Sequence, residues 1–408
     1  MHKNLFLIVL VMTFSVSLVG QELLPKQLDT TDQSQRISLQ GNAFYLASGM
    51  QNNVSSNLIF GGSITEENKV SSLDEHDELN RLGGDVRFRA QYYSNKRIFK
   101  NKERLSWMID GGYETHFSAQ YAKSLYGLAF FGNDNYRGET ANFSNSFGRI
   151  QSFYTLGFGI HDVKSKSFIS LNALLPTSDA LVSLDRGTLY TSEDADSVIL
   201  GLRGESEFSN SPAFFQGIGA AVNFEFLVPV GSRSGNMSGH MSIVGRNLGA
   251  YYINQFSKTS ADAVIQFDGY SLADLTALQE DSDDILNDSL NVVRDTSSGW
   301  RFAPGFIQVG KVIEKYTDKQ VQAFFGIRMY TNRVYRPLGY AGVHWNPLLN
   351  WSLGAQVSFG GYGNFRGGMY AGYSGEKLSL SIGTEDITGV ILGSQFGQSA
   401  LIRMSWRI

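Results

Sequence analysis

Asp85-Val86-Arg87-Phe88-Arg89-Ala90-Gln91-Tyr92-Tyr93-Ser94-Asn95 decides the fold, because it changes character at every residue. Val86, Phe88, Ala90 and Tyr92 fall on one side of an extended chain, and Arg87, Arg89 and Gln91 on the other. The same two-residue period returns along the sequence. Trp107, Ile109, Tyr113 and Phe117 alternate with Asp110, Gly112, Glu114 and His116; Ile218, Ala220, Val222, Phe224 and Phe226 with Gly219, Ala221, Asn223 and Glu225. Ala323, Phe325, Ile327 and Met329 oppose Gln322, Gly326 and Arg328, and the final stretch sets Ala400, Ile402, Met404, Trp406 and Ile408 against Arg403, Ser405 and Arg407.

Two architectures use such ribbons. A soluble sandwich buries its apolar faces against each other. A transmembrane barrel turns them to lipid and its polar faces to an enclosed lumen, with strands of roughly 9–11 residues and aromatic girdles at both interfaces. Three features favour the barrel: many segments reach about ten residues, beyond the ~5–6 of globular sheets; aromatic residues gather near segment ends, as at Tyr92-Tyr93, Phe130-Phe131, Tyr251-Tyr252 and Trp345; and Gly111, Gly112, Gly157, Gly159, Gly326 and Gly342 relieve crowding on the expected lumen side. Strands are expected near 85–95, 105–118, 123–131, 150–161, 167–175, 197–208, 217–228, 239–254, 262–269, 301–315, 321–331, 338–346, 351–360, 365–374, 378–385 and 399–408. Single-chain bacterial barrels take even numbers, so the reading is an all-β, antiparallel up-and-down transmembrane barrel of about 14 strands, with 12 and 16 as alternatives.

Composition narrows the function classes. The 408 residues include 44 Gly, 28 Phe, 19 Tyr and 5 Trp, but no Cys. That excludes a disulfide scaffold, a zinc-thiolate or iron–sulfur site, a Cys nucleophile and an acylated-Cys anchor. A net charge of -4 argues against a nucleic-acid partner, which calls for a basic face. Met1-His2-Lys3-Asn4 followed by the apolar run Leu5 to Gly20 has the form of a secretory signal peptide, with cleavage expected between Gly20 and Gln21. Residues 21–408 are then one barrel domain, in which 21–84 is a polar N-terminal segment serving as plug or loop. Residues 62–84 read as a solvated loop, and 271–291 as a short helical excursion in which Ser271 caps Leu272, Leu275 and Leu278.

Gly41-Asn42-Ala43-Phe44 resembles the opening of FadL-like fatty-acid transporters and of the related secretion-associated PorV barrels, although Ser56-Asn57-Leu58 stands where those families carry Asn-Pro-Ala. Leu128-Ala129-Phe130-Phe131-Gly132-Asn133 with Tyr136-Arg137-Gly138, Tyr154-Thr155-Leu156-Gly157-Phe158-Gly159, Leu189-Tyr190-Thr191, and Asn247-Leu248-Gly249 through Phe267-Asp268-Gly269-Tyr270 are similar to a Bacteroidota family of outer-membrane barrels of unassigned function, distant from FadL. The resemblance implies the outer membrane of a Gram-negative envelope and carries over no catalytic or ligand residue.

The lumen is where function is expected. Arg87, Arg89, Asp110, Glu114, His116, Glu225, Arg328, His344, Arg366 and Arg403 fall on polar faces. Enclosed charges must be paired or hydrated, so they line either a solute pathway or a packed interior of ion pairs. His240, Ser242 and Asn254 resemble the residue set of outer-membrane phospholipase, but the Asn-Gly that follows the serine there is Ile243-Val244 here, and chance strand residues explain them better. Asp281, Asp283 and Asp284 lack the glycine and distal glutamate of a calcium loop. Asp196-Ser197-Val198 and Asp288-Ser289-Leu290 resemble Bacteroidota O-glycosylation acceptors. The expectation is a non-enzymatic barrel without cofactor or metal. It lies in outer-membrane lipid, passing a hydrophobic or small polar solute or assisting secretion or motility proteins. A secreted β-rich binding protein that never enters lipid is the alternative.

Overall fold

The computed structural model describes residues 23, 27–28, 34–102, 104–231, 237–268, 291–314 and 320–408, with backbone alone at 237–238. Fourteen antiparallel strands close on themselves. In chain order they are β1 (Arg36–Ala47), β2 (Leu79–Arg97), β3 (Leu105–Ala122), β4 (Ser146–Asp162), β5 (Phe168–Thr191), β6 (Val198–Ser209 resuming as Gly217–Gly231), β7 (Met237–Phe267), β8 (Val293–Phe302 resuming as Phe306–Lys311), β9 (Val321–Tyr330), β10 (Arg336–Leu348), β11 (Trp351–Gly361), β12 (Arg366–Ser374), β13 (Leu378–Thr384) and β14 (Gly397–Arg407). Each pairs with its chain neighbour. β14 pairs with β1 from Gly397↔Leu46 to Arg407↔Arg36, which leaves no free edge for the membrane to strand without hydrogen bonds.

The apolar faces turn outward. Phe88, Leu156 and Ile327 are 54%, 64% and 63% exposed, whereas Arg87 and Arg328 on the opposite faces are 7% and 1% exposed. A sandwich would bury the first set and wet the second; this chain does the reverse, which sets aside the lipid-free alternative. The apolar band is edged by rings. Near the strand ends that share a level with Arg36 and Arg407, Tyr92 packs on Trp107 at 5.2 Å and Trp351 on Tyr373 at 5.3 Å. At the opposite edge Tyr113 meets Tyr154 at 4.8 Å and Tyr252 meets Trp300 at 5.6 Å. Above Tyr113 and Tyr154 the outward face becomes polar, with Thr115 and Ser152 hydroxyls 3.0 Å apart. Here β5 to β8 rise beyond the band as a charged extension, in which Arg186 pairs with Asp262 at 2.9 Å and Lys258 with Glu205 at 2.5 Å.

Short connections such as 98–104, 163–167, 349–350 and 375–377 lie at one end. Long ones, 48–78, 123–145 and 385–396, lie at the other. Outer-membrane barrels keep short turns on the periplasmic side and long loops outside, which gives the chain its orientation.

Several expectations are corrected. Residues 123–131 are not a strand but helix α3 (Lys123–Phe131). It packs on α1 (Asn52–Phe60) and α2 (Glu66–Asp74) in an extracellular cap where Met50, Val54, Tyr121 and Tyr126 are buried. Phe130-Phe131 therefore belongs to this cap and not to a girdle. Residues 62–84 are not a solvated loop: they carry α2 and the start of β2, and the Thr65 side chain accepts the Asn68 amide at 3.3 Å as an N-cap should. The separate strands expected at 239–254 and from 262 are one strand, β7 (Met237–Phe267), and β1 was absent from the expected strands. Gly111 faces outward, since its neighbour Asp110 faces in. Residues 1–20, most of the expected excursion at 271–291 and the second glycosylation-like motif lie outside the described residues.

Candidate functional site: the barrel lumen

β2 and β3 bring the central charges together through their register. Arg87 lies opposite Glu114, and its guanidinium donates to both carboxylate oxygens, Nε to Oε2 at 2.7 Å and Nη2 to Oε1 at 2.9 Å. Nη2 also donates to Asp85 at 2.7 Å. One strand step towards the periplasm, Arg89 Nε donates to Asp110 at 2.7 Å, with a second bond from Nη2. The far wall completes this layer. Asn223 Nδ2 donates to Asp110 at 3.1 Å and Arg246 Nη2 to Glu225 at 3.2 Å. β7 departs from its register with β6 between Gly245 and Leu248. Asn247, at φ 50° in that irregularity, reaches across to donate Nδ2 to Glu114 at 2.6 Å. A bulge that re-aims one side chain is a usual device at barrel interiors. Fork-to-fork guanidinium–carboxylate pairing is the strongest arrangement available to enclosed charges.

Beside this layer the lumen is apolar and aromatic. Arg328 and Arg87 lie over the Phe306 ring at 4.5 and 5.3 Å. His116 shares its Nε2 with the Tyr362 hydroxyl at 2.8 Å, Tyr330 donates to Asp85 at 3.3 Å, and Tyr335 packs on Tyr362 at 5.1 Å. Gly83 makes room for the Tyr362 ring, which a Cβ there would meet at 2.5 Å. Leu23, 1% exposed, is part of the same buried cluster. Its amide donates to Glu385 Oε1 at 3.2 Å, and Glu385 lies 3.8 Å from Arg366. Gln27 Nε2 is 3.3 Å from His344 Nε2, and Gln27–Leu28 pairs in parallel with Ile313–Glu314. Leu23 and Gln27–Leu28 therefore lie inside the barrel.

Below Leu23 the interior opens into a cavity of about 170 Å³. Arg36, Gln40, Gln91 and Arg403 line one wall, and Leu28, Val244, Val312 and Phe324 contribute apolar surface.

Of the sequence-selected residues, Arg87, Arg89, Asp110, Glu114 and Glu225 join one layer with His116 at its edge. Arg328 and His344 lie on the opposite wall, and Arg366 is under the extracellular mouth. Arg403 stands apart in the cavity, with no hydrogen bond or ion pair among the described residues. Sequence reasoning missed Asp85, although it belongs to the Arg87 face by the same period of two. It also missed Asn223, which the alternation placed but composition did not distinguish. Nothing in the pattern announced Leu23 or Asn247.

Asp85, Glu114 and His116 offer ligand atoms within 4.8 Å of one another. Arg87 already lies between the two carboxylates, so a guanidinium supplies the positive charge that a metal would bring. His240, Ser242 and Asn254 are not assembled for hydrolysis. His240 Nδ1 is 2.9 Å from Glu314, the Ser242 hydroxyl donates to the Gly310 carbonyl at 3.3 Å, and Asn254 lies twelve residues along the same strand, about 40 Å away.

No family model matches the chain, and no curated protein matches its sequence. Among solved structures it is similar to the toluene transporter TodX of P. putida (10% identity, 92% of this chain and 91% of that one, TM-score 0.37). It is also similar to the toluene transporter TbuX of Ralstonia pickettii (8%, 92% and 90%, 0.37) and to the translocator domain of the autotransporter NalP from Neisseria meningitidis (12%, 93% and 91%, 0.29). At these scores the likeness carries neither a residue role nor a solute.

Proposed function

We propose that the chain is a non-enzymatic outer-membrane barrel that passes a small polar solute, with its own N-terminal segment as the plug. The outward apolar band between two aromatic edges supports residence in lipid, and the leader-like residues 1–20 support export. The observation that carries the plug is the burial of Leu23 among lumen side chains, with its backbone N–H donating to Glu385. Below it Gln27–Leu28 adds a two-residue strand pairing and the Gln27 contact to His344. Every barrel strand is paired along its length, so a segment lying inside the lumen can leave without unfolding the wall.

The test is conductance across a planar lipid bilayer. Deletion of residues 22–33 with the leader retained is expected to raise mean conductance severalfold over the full chain. Equal conductance of the two proteins, with both verified as folded by heat-dependent gel migration, would overturn the plug. Absence of conductance and of solute uptake in both would overturn the passage.

A further inference from the structure

Three nitrogen donors beside the periplasmic cavity have no protein acceptor among the described residues. Arg36 Nε, Gln40 Nε2 and Gln91 Nε2 are each buried with no hydrogen-bond acceptor. Buried donors are nearly always satisfied, and each exception calls for a physical account. These three share one wall. Arg36 and Gln40 extend from the same face of β1, and Gln91 of β2 lies opposite Ser38, between them. On the other flank Arg403 of β14 lies directly opposite Gln40. Directly paired residues bring their Cβ atoms to about 5 Å, so Gln40 and Arg403 are immediate neighbours, while Arg36 lies four residues, about 13 Å, along the strand from Gln40 with Gln91 midway between them. All four side chains line the same cavity. Arg36 is held from behind by the Tyr93 ring, 4.5 Å from its guanidinium carbon. Among the described residues that line the cavity the one carboxylate, Glu225, is engaged by Arg246 at 3.2 Å. The wall thus offers two cationic side chains and two amide groups, with no carboxylate of its own among the described residues.

We propose that Arg36, Gln40, Gln91 and Arg403 form a binding site for an oxyanion, the carboxylate or phosphate group of a solute, in the periplasmic half of the lumen. Such a group presents the acceptor lone pairs that these donors lack, and charge-assisted bonds from a guanidinium are the strong ones. The site deepens the passage reading, and rests on it for the ligand's role as a passenger; binding itself can be measured without transport.

The test is isothermal titration of the purified full-length barrel in a neutral detergent, with inorganic phosphate and with succinate, at ionic strength held constant by sodium chloride. Saturable binding of at least one probe is expected. Binding of both identifies a general oxyanion site, of phosphate alone a phosphate site, and of succinate alone a carboxylate site. Arg403→Met and Gln91→Leu are each expected to weaken binding at least tenfold, while Arg186→Gln on the extracellular extension leaves it unchanged. Gln91→Leu removes no charge, so it remains informative should Arg403→Met fail to fold. No binding of either probe, or unchanged affinity in both lumen variants, would overturn the site. Neither result would touch the plug-deletion conductance, so failure of the site and failure of the passage remain distinct.

Discussion

Replacing Arg87 by Met tests the ion-pair layer most severely. The side chain holds two carboxylates, Glu114 through two bonds at 2.7 and 2.9 Å and Asp85 through one at 2.7 Å, and all three residues are at most 7% exposed. Truncation leaves two enclosed negative charges facing each other, with the amide of Asn247 as one remaining donor to Glu114. Removing one partner of a buried pair costs about 3–5 kcal/mol, whereas replacing the whole set with neutral groups of similar size is often close to neutral. Arg87→Met is therefore expected to destabilise the barrel by about 3–5 kcal/mol. The triple variant Arg87→Met/Asp85→Asn/Glu114→Gln should recover most of that loss. The assay is guanidinium unfolding of the protein in lipid vesicles, followed through the emission of its five tryptophans. A single-variant loss below about 1 kcal/mol, the scale of an exposed ion pair, would refute the pairing argument. So would a triple variant no more stable than the single one.

Other consequences follow from the same geometry. Leu156→Arg on the lipid-facing side of β4 should cost about 2–4 kcal/mol in the same assay, and Leu156→Phe very little. Gly83→Leu should displace the Tyr362 ring from its place beside His116, read as a faster conducting state or as greater access of a small water-soluble quencher to the lumen. His76 lies in the extracellular cap, where its ring nitrogens contact the Ser72 carbonyl at 2.6 Å and the Tyr121 hydroxyl at 3.0 Å. Burial there holds its pKa below the ordinary 6.5, with the bond to Ser72 opposing that shift. A depressed histidine stabilises the folded cap above the unfolded pKa and withdraws that support as pH falls, because the unfolded segment binds the proton more readily. Proteolysis within 48–78 should thus accelerate between pH 7 and pH 5, and His76→Gln should flatten the profile.

Much of this fold was legible because a strand in a barrel wall has only two environments, and each leaves its mark on alternate residues. Arg87, Arg89, Asp110 and Glu114 could be assigned to the lumen from a period of two alone. The errors arise where tertiary contacts override the local pattern. Lys123–Phe131 is an apolar run with no alternation, and as a helix it packs Leu125 and Phe130 against the buried cluster of Met50, Val54, Tyr121 and Tyr126. Thr65-Glu66-Glu67 did carry a readable signal, a capping residue followed by acids in the first turn, but the surrounding charge hid it. β7 was divided because beyond Ile253 it leaves the membrane band, and its outward face no longer needs to be apolar. Contents of the lumen were less legible than its walls. Cross-barrel contacts such as Asn247 to Glu114 depend on a bulge, and the burial of Leu23 depends on where a terminal segment is threaded. Neither has a period.

The outward orientation of the apolar faces is best tested by placing single cysteines in this cysteine-free chain. An environment-sensitive fluorophore would be attached in turn at positions 88, 109, 158, 91 and 405, and quenching by spin-labelled lipid measured in vesicles. Positions 88, 109 and 158 are expected to be quenched by the lipid label and protected from a water-soluble quencher, with 91 and 405 showing the reverse. Equal quenching at all five, or lipid quenching confined to 91 and 405, would contradict the barrel as described.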